Sequence, residues 1–355
     1  MFRKIDRRQL LTGSTAIAAA SLFPMPYLMA QTNFFEPTRV RTTHAPYVSA
    51  GPYFIAQAKG YFKKVGLDVT STSFIDQAQA MPGLAAGEFD ITGATISAGL
   101  FNLMAKGTPV RLIMEGGRES PGMGSNAILV SNETYAAGFT NLAGYKFAKG
   151  RNFGVSTRGA VAQYLHYTAL ERAGLTPDDV SWQWGLDTRN SLALMPAERV
   201  HVINIPLPGA YAAQKRGVGK VVTWSDEIAP NFVLACRAAS QKFLAERYSA
   251  VVRFIMAILH ANAEFNAAAQ NGNPEVLKII AEGTGLEPEV IDECRPRWTQ
   301  MTPDGIPNVQ SIMNQQMFWK DKTDLLARPV PEDSLFDLGA VREAKKRLED
   351  KNPFI

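Results

Sequence analysis

The run Ser156-Thr157-Arg158-Gly159 sets two hydroxyls, a guanidinium and a glycine between a short apolar stretch, Asn152 to Val155, and one with Val161, Leu165 and Ala169 at helical spacing. A strand that feeds a helix through such a loop builds an anion site. Unpaired N–H groups and the positive end of the helix dipole face the ligand, and Ser or Thr hydroxyls complete the shell. Arg158 adds a planar fork that holds a carboxylate or sulfonate through two hydrogen bonds. The competing use is plain capping of the helix by Ser156 or Thr157, with Arg158 in solvent. A second loop of the same kind, Gly93 to Ser97, offers Thr95 and Ser97, where capping alone accounts for one hydroxyl. Arg118 is a third cation, and Glu115 and Glu119 are its alternative partners. His44, Tyr47 and Tyr53 follow one apolar run, while Trp184 and Trp224 end two others. Flat faces there clamp a ring or alkyl body, or else pack in the core. Asp187 to Asn190 and Pro206 to Pro208 are weaker candidates of the same position. The four histidines, 44, 166, 201 and 260, lack metal-ligand spacing, and no nucleophile stands with a base. No catalytic residue, metal or cofactor is expected.

These residues need elements that bring them together, and the chain repeats a strand, a loop and a helix. Arg39 to His44 reads as a strand and Gly51 to Val65 as a helix with Phe54, Ile55, Ala58, Tyr61, Phe62 and Val65 on one face. Strands are expected at 67–74, 89–93, 110–114, 127–130, 152–155, 200–205 and 220–223, with helices at 77–86, 97–105 and 158–173. Beyond residue 240 the pattern is mostly helical, at 241–269 and 274–283. This alternation predicts an α/β fold with mostly parallel sheets flanked by helices. In open α/β sheets the crevice lies beyond the carboxyl ends of the strands, where the candidate loops stand. The stretch Glu115 to Asn126, with Gly116, Gly117, Pro121, Gly122 and Gly124, breaks the rhythm and reads as a crossing between lobes, with Asn231 to Arg237 running back.

Arg3, Lys4, Arg7 and Arg8 precede an apolar segment, Leu10 to Phe23, of about 14 residues, too short to span a bilayer core, and small residues precede a cut after Ala30. Residues 1–30 read as an export signal. Arg7-Arg8 resembles a twin-arginine signal, with Asp6 where Ser or Thr is usual and Leu10 where Phe is usual; Sec export is the alternative. Its removal takes four of the 37 Lys and Arg and one of the 33 Asp and Glu, leaving 33 against 32. The excess base is therefore discarded with the signal, and a nucleic-acid partner is excluded. The roughly 325 residues that remain exceed one ordinary core and favour two lobes. Cys236 and Cys294 are the only thiols, and Cys236 lies in the apolar run Phe232 to Cys236. A bridge between them is left open.

Three segments carry a resemblance. They are Gly51-Pro52-Tyr53-Phe54-Ile55-Ala56-Gln57-Ala58-Lys59-Gly60-Tyr61-Phe62, then Leu84-Ala85-Ala86-Gly87-Glu88-Phe89-Asp90-Ile91, then Gly154 to Gly159 followed by Ala173-Gly174-Leu175 and Asp178-Asp179-Val180. In this order the chain, over roughly residues 38 to 320, resembles the nitrate, sulfonate and taurine branch of periplasmic ABC-transporter substrate-binding proteins. The resemblance implies the two-lobed type II binding-protein fold: residues 38–120 and 239–330 as one lobe, 121–238 as the other, 331–355 as a tail, and a two-strand hinge. It further implies a monomeric periplasmic receptor that closes on a small organic anion and presents it to an ABC permease in the inner membrane. Nitrate, taurine, sulfonates, aromatic carboxylates and pyrimidine precursors fall in the family's range. The arginines and aromatics favour an aromatic carboxylate or sulfonate. Two alternatives are a pyrimidine-precursor synthase, whose clustered-cysteine motif is absent here, and a sensor co-receptor.

Overall fold

A computed structural model describes residues 34–355, so the expected export signal lies outside the described residues. Among them twelve strands follow in order: β1 (Thr38–His44), β2 (Leu67–Ser73), β3 (Ile91–Thr95), β4 (Val110–Glu115), β5 (Arg118–Glu119), β6 (Asn126–Ser131), β7 (Asn152–Val155), β8 (Ser181–Trp184), β9 (Val202–Pro206), β10 (Gly219–Trp224), β11 (Phe232–Val233) and β12 (Ala235–Ser240). They form two five-stranded sheets, β2-β1-β3-β12-β4 and β10-β6-β9-β7-β8, joined by the two-stranded ribbon β11-β5. The expected strands are all present, with β3 and β9 starting two residues later than their apolar patterns suggest. The fold is the two-lobed α/β arrangement with a two-strand hinge.

The sheets are mixed in a regular way. β1 runs parallel to β2 and β3, and β7 parallel to β8 and β9. β12 runs antiparallel to β3 and β4, and β6 antiparallel to β9 and β10. Each reversed strand is the one that the chain enters straight after crossing the hinge. The hinge strands are antiparallel, with Phe232 opposite Glu119 and Val233 opposite Arg118. A chain arriving by either one must lead away from the crevice. The other four strands of each sheet therefore aim their carboxyl ends at it, where a ligand site belongs.

Helices cover both sheets. Pro52 stands in the first turn of helix Gly51–Ala58, which buries Tyr53, Phe54 and Ile55. The single helix expected to reach Val65 is split, because Gly60 takes a left-handed φ of 70° and Tyr61–Lys64 forms a separate turn. On one face of the first sheet Leu84, Phe101, Leu112, Cys236 and Trp319 form a core. Helix Tyr248–Asn271 packs with helix Gly51–Ala58 elsewhere on that lobe. The second sheet is apolar on both faces: Phe153, Leu165 and Leu170 belong to one cluster, and Leu129, Ile203 and Ile205 to another. Residues 331–355 are integrated into the first lobe. Phe336 bridges to Leu112, the Asp337 N–H donates to the Leu112 carbonyl at 3.0 Å, and helix Gly339–Asp350 packs on Tyr248–Asn271. Cys236 and Cys294 are both free and buried, which answers the open question of a bridge.

His166 is fully buried in the second lobe, with Nδ1 2.9 Å from the Tyr145 hydroxyl and its ring edge-on to Phe153. Burial holds it neutral, pushing its pKa down to about 3. The unfolded chain binds a proton at this histidine at the ordinary value of 6.5 and the folded chain does not. Stability therefore rises with pH between those two values and is lost as pH falls through them, by up to about 1.4 kcal/mol per pH unit. Urea midpoints at about pH 7 and about pH 4.5 should differ less in His166→Phe than in wild type. Equal differences would show that another group sets the acid limb.

Candidate functional site

β7 buries Phe153 and Val155 and delivers Ser156, Thr157 and Arg158 to the surface of the crevice, all three exposed. The helix that follows begins at Val161, with Ala160 at its N-cap and no side-chain cap. Neither Ser156 nor Thr157 is used as a cap, so the competing use of these hydroxyls fails. The Arg158 guanidinium lies over the Trp184 ring at 4.9 Å, and Trp184 stacks on Trp182 with centroids 5.3 Å apart and planes 17° from parallel. This stack positions the fork while leaving its edge free for an anion. No carboxylate pairs with Arg158 among the described residues.

The matching loop of the first lobe is built differently. Ser97 caps helix Ala98–Ala105 by accepting from the Leu100 N–H at 3.2 Å. The Ala98 N–H donates to the Gly159 carbonyl of the other lobe at 3.1 Å. The two expected anion loops thus meet each other, and Ser97 acts as a cap. Thr95 is half-buried at the end of β3, paired in register with Ala235.

His44 ends β1. Its Nδ1 lies 2.7 Å from the Ser71 hydroxyl and its ring stacks on Tyr53, centroids 5.1 Å apart and planes 12° from parallel. Tyr53 is buried, and Tyr47 is half-buried at the turn before the helix. Two other expected contacts are already engaged. Arg118, on hinge strand β5, forms a fork with the buried Glu115, Nε to Oε1 at 2.8 Å and Nη2 to Oε2 at 2.9 Å. Trp224 lies under the Arg297 guanidinium at 4.8 Å, and Arg297 also reaches Asp226 at 3.4 Å.

Sequence reasoning missed Arg237. It lies on β12 opposite Gly93 of β3, and Gly93 follows Thr92 opposite Ala238. Its Nη1 donates to the Thr43 carbonyl at 3.1 Å, at the crevice end of β1. No carboxylate pairs with it among the described residues. Burial pushes its pKa down to about 10, partly offset by Tyr53. Burial and then the Arg237 charge lower that of His44, so the imidazole stays neutral beside the cation. Arg237 is half-buried, and with one carbonyl as its side-chain partner its remaining N–H groups are open to an anion. The available signal was a single charge inside the uncharged run Phe232 to Ser240.

The acids around the crevice, by contrast, are satisfied. Glu115 is held by Arg118 and by the Asn308 N–H at 2.9 Å. Glu119 accepts from the Ser125 N–H, the Ser125 hydroxyl and the Ser225 hydroxyl, and Asp226 accepts from the Gly122 N–H at 2.7 Å.

A family model described as NMT1-like matches residues 33–281. The chain belongs to the NMT1-like family. Solved structures of the same fold include the periplasmic aliphatic sulphonate binding protein SsuA from Escherichia coli, 17% identical, covering 85% of this chain and 92% of that one with a TM-score of 0.69. The periplasmic nitrate-binding protein NrtA from Synechocystis PCC 6803 is 15% identical, with coverages of 90% and 91% and a TM-score of 0.71. A cysteine-to-serine mutant of DszB in complex with biphenyl-2-sulfinic acid is 14% identical, with coverages of 87% and 99% and a TM-score of 0.61. At these identities the likeness establishes the fold alone.

Within this NMT1-like chain, Arg237 should be a residue whose presence costs stability. Arg237→Met, which keeps an unbranched apolar stem and removes the half-buried charge, is expected to leave the unfolding free energy unchanged or raise it by about 1–2 kcal/mol in urea titrations. A loss of similar size would mark Arg237 as a structural cation.

Proposed function

We propose that the protein is an exported solute receptor. It captures a small organic anion, an aromatic carboxylate or a sulfonate, between its two lobes and delivers it to an ABC permease. The observation that carries this reading is Arg237, a half-buried guanidinium at the crevice end of the first sheet without a carboxylate among the described residues. Its likeness in fold to a sulphonate-binding and a nitrate-binding protein supports the same ligand chemistry. The proposed lobes are residues 38–120 with 239–330 and residues 121–238. Arg237 anchors the acid group from the first lobe, with His44, Tyr47, Tyr53 and Thr95 around it. Ser156, Thr157 and Arg158 close on it from the second, with Trp184 holding the Arg158 fork in place. Arg118, Ser97 and Trp224 have structural partners and are left out of the site. Among the described residues no helix is long and apolar enough to cross a membrane.

An enzymatic reading has the fold likeness to DszB on its side. Both cysteines are buried, however, and burial pushes both thiols up, that of Cys294 to about 11, away from the thiolate form that attacks.

Melting of the protein against benzenesulfonate, taurine, benzoate, phthalate and nitrate tests the receptor reading. A ligand at about 100 times its dissociation constant adds about 2.7 kcal/mol and lifts the midpoint by a few degrees. No rise with any member would remove the anion assignment. For a ligand that does bind, Arg158→Ala is expected to cost about 1.5–3 kcal/mol of affinity by calorimetry, as for a charge-assisted hydrogen bond. An anion placed beside His44 offsets the Arg237 charge and raises its proton affinity. Binding then takes up a proton, and the dissociation constant should fall as pH drops from about 8 to about 5.5. His44→Gln should flatten that dependence.

A further inference from the structure

We propose that Gly159 and Ala98 form the closing clasp of the receptor, a pair of positioning residues that meet across the crevice and set how far the lobes close. The inference rests on the reading of the crevice as the ligand site. Three observations on one loop carry it. First, the Ala98 N–H, at the start of a first-lobe helix, donates to the Gly159 carbonyl of the second lobe at 3.1 Å, a contact of backbone with backbone. The positive end of that eight-residue helix favours an approaching carbonyl oxygen. Second, Gly159 holds φ at +81°, and a Cβ there would lie 2.8 Å from the Ala98 Cβ and 3.6 Å from Leu325 Cδ1, both of the first lobe. The residue is buried in a niche with no room for a methyl group. Third, the Gly159 N–H donates to Oε1 of the buried Gln163 at 2.7 Å, which anchors to its own lobe the residue whose carbonyl meets the other lobe.

The sequence neighbours give the contact its role. Ser156, Thr157 and Arg158 immediately precede Gly159, so any ligand that orders those residues also orders the clasp. The clasp, once made, holds the loop over the crevice. Ligand binding and closure then share one short loop, and closure is biased by contacts present only in the closed form.

Three variants test this, each checked for native far-UV circular dichroism: Gly159→Ala, Ala98→Leu, and Gly159→Ala combined with Ala98→Gly. Small-angle X-ray scattering of the ligand-free proteins and calorimetry with benzenesulfonate and benzoate are the readouts. Gly159→Ala should enlarge the radius of gyration and weaken whichever anion binds wild type by about tenfold or more. Ala98→Leu, which fills the same niche from the first lobe without touching the left-handed residue, should do the same. Adding Ala98→Gly to Gly159→Ala should restore most of the compaction and affinity. An unchanged radius in both single variants would overturn the clasp. So would a double variant as expanded as Gly159→Ala, since the defect would then be local backbone strain. If Gly159→Ala does not fold, Ala98→Leu decides alone. Wild type that binds neither anion counts against the receptor reading, while the scattering comparison still decides the clasp.

Discussion

Everything in this fold turns on two short antiparallel strands. β5 and β11 carry the chain between lobes, and their opposite directions force one reversed strand into each sheet, β6 and β12. The same constraint aims all the other strand ends at one crevice. Glu119, wholly buried on β5, secures the arrangement by accepting from Ser125 at the start of β6 and from Ser225 just after β10. Burial raises its pKa against those hydrogen bonds, with Asp226 adding to the rise. One carboxylate thus ties the hinge to both strands that enter and leave the second lobe. On the other side, Gln300 pairs with Arg118 as an added rung of the ribbon, N–H to carbonyl at 3.0 and 3.1 Å.

Charge compensation around the hinge separates the arginines that have a carboxylate partner from those that have none among the described residues. Arg118 and Arg297 look alike in sequence to Arg158 and Arg237, yet the first two are spent on Glu115 and on Asp226 with Trp224. Such pairs, partly shielded from solvent, fix geometry more than they add stability. Arg158 rests on an aromatic stack, and Arg237 is left with a single carbonyl. The difference is one of three-dimensional neighbours. No spacing in the chain reveals it.

The order of strands and helices was legible because each strand buries an apolar run and each helix repeats at the 3.6-residue period. The crossing at Gly116 to Gly124 was legible from its glycines, and the Ser156 loop from its position after β7. What escaped depends on contacts distant in sequence. Ser97 reads equally as a cap or as a ligand until the Leu100 N–H is seen to point at it. Trp224 reads as a ligand platform until Arg297, from a segment over seventy residues away, covers it. Arg237 hides in a strand whose other members are small or apolar, and only its pairing opposite Gly93 brings it to the end of β1.

The position of β12 has a consequence for how the chain reaches this state. β12 lies inside the first sheet, between β3 and β4, although the whole second sheet intervenes in sequence between β4 and β12. Phe336 and Asp337 then join β4 beside Leu112, more than two hundred residues upstream. The second lobe is one continuous stretch and can gather its core from near neighbours, whereas the first must wait for strands from both of its ends. Contacts of such long sequence separation form slowly, because the loop between them must first be closed. As the chain emerges from the ribosome, the lobe encoded second is the one that matures first, and β1 to β4 stay an incomplete sheet with an open seam until residues 235–240 fill it.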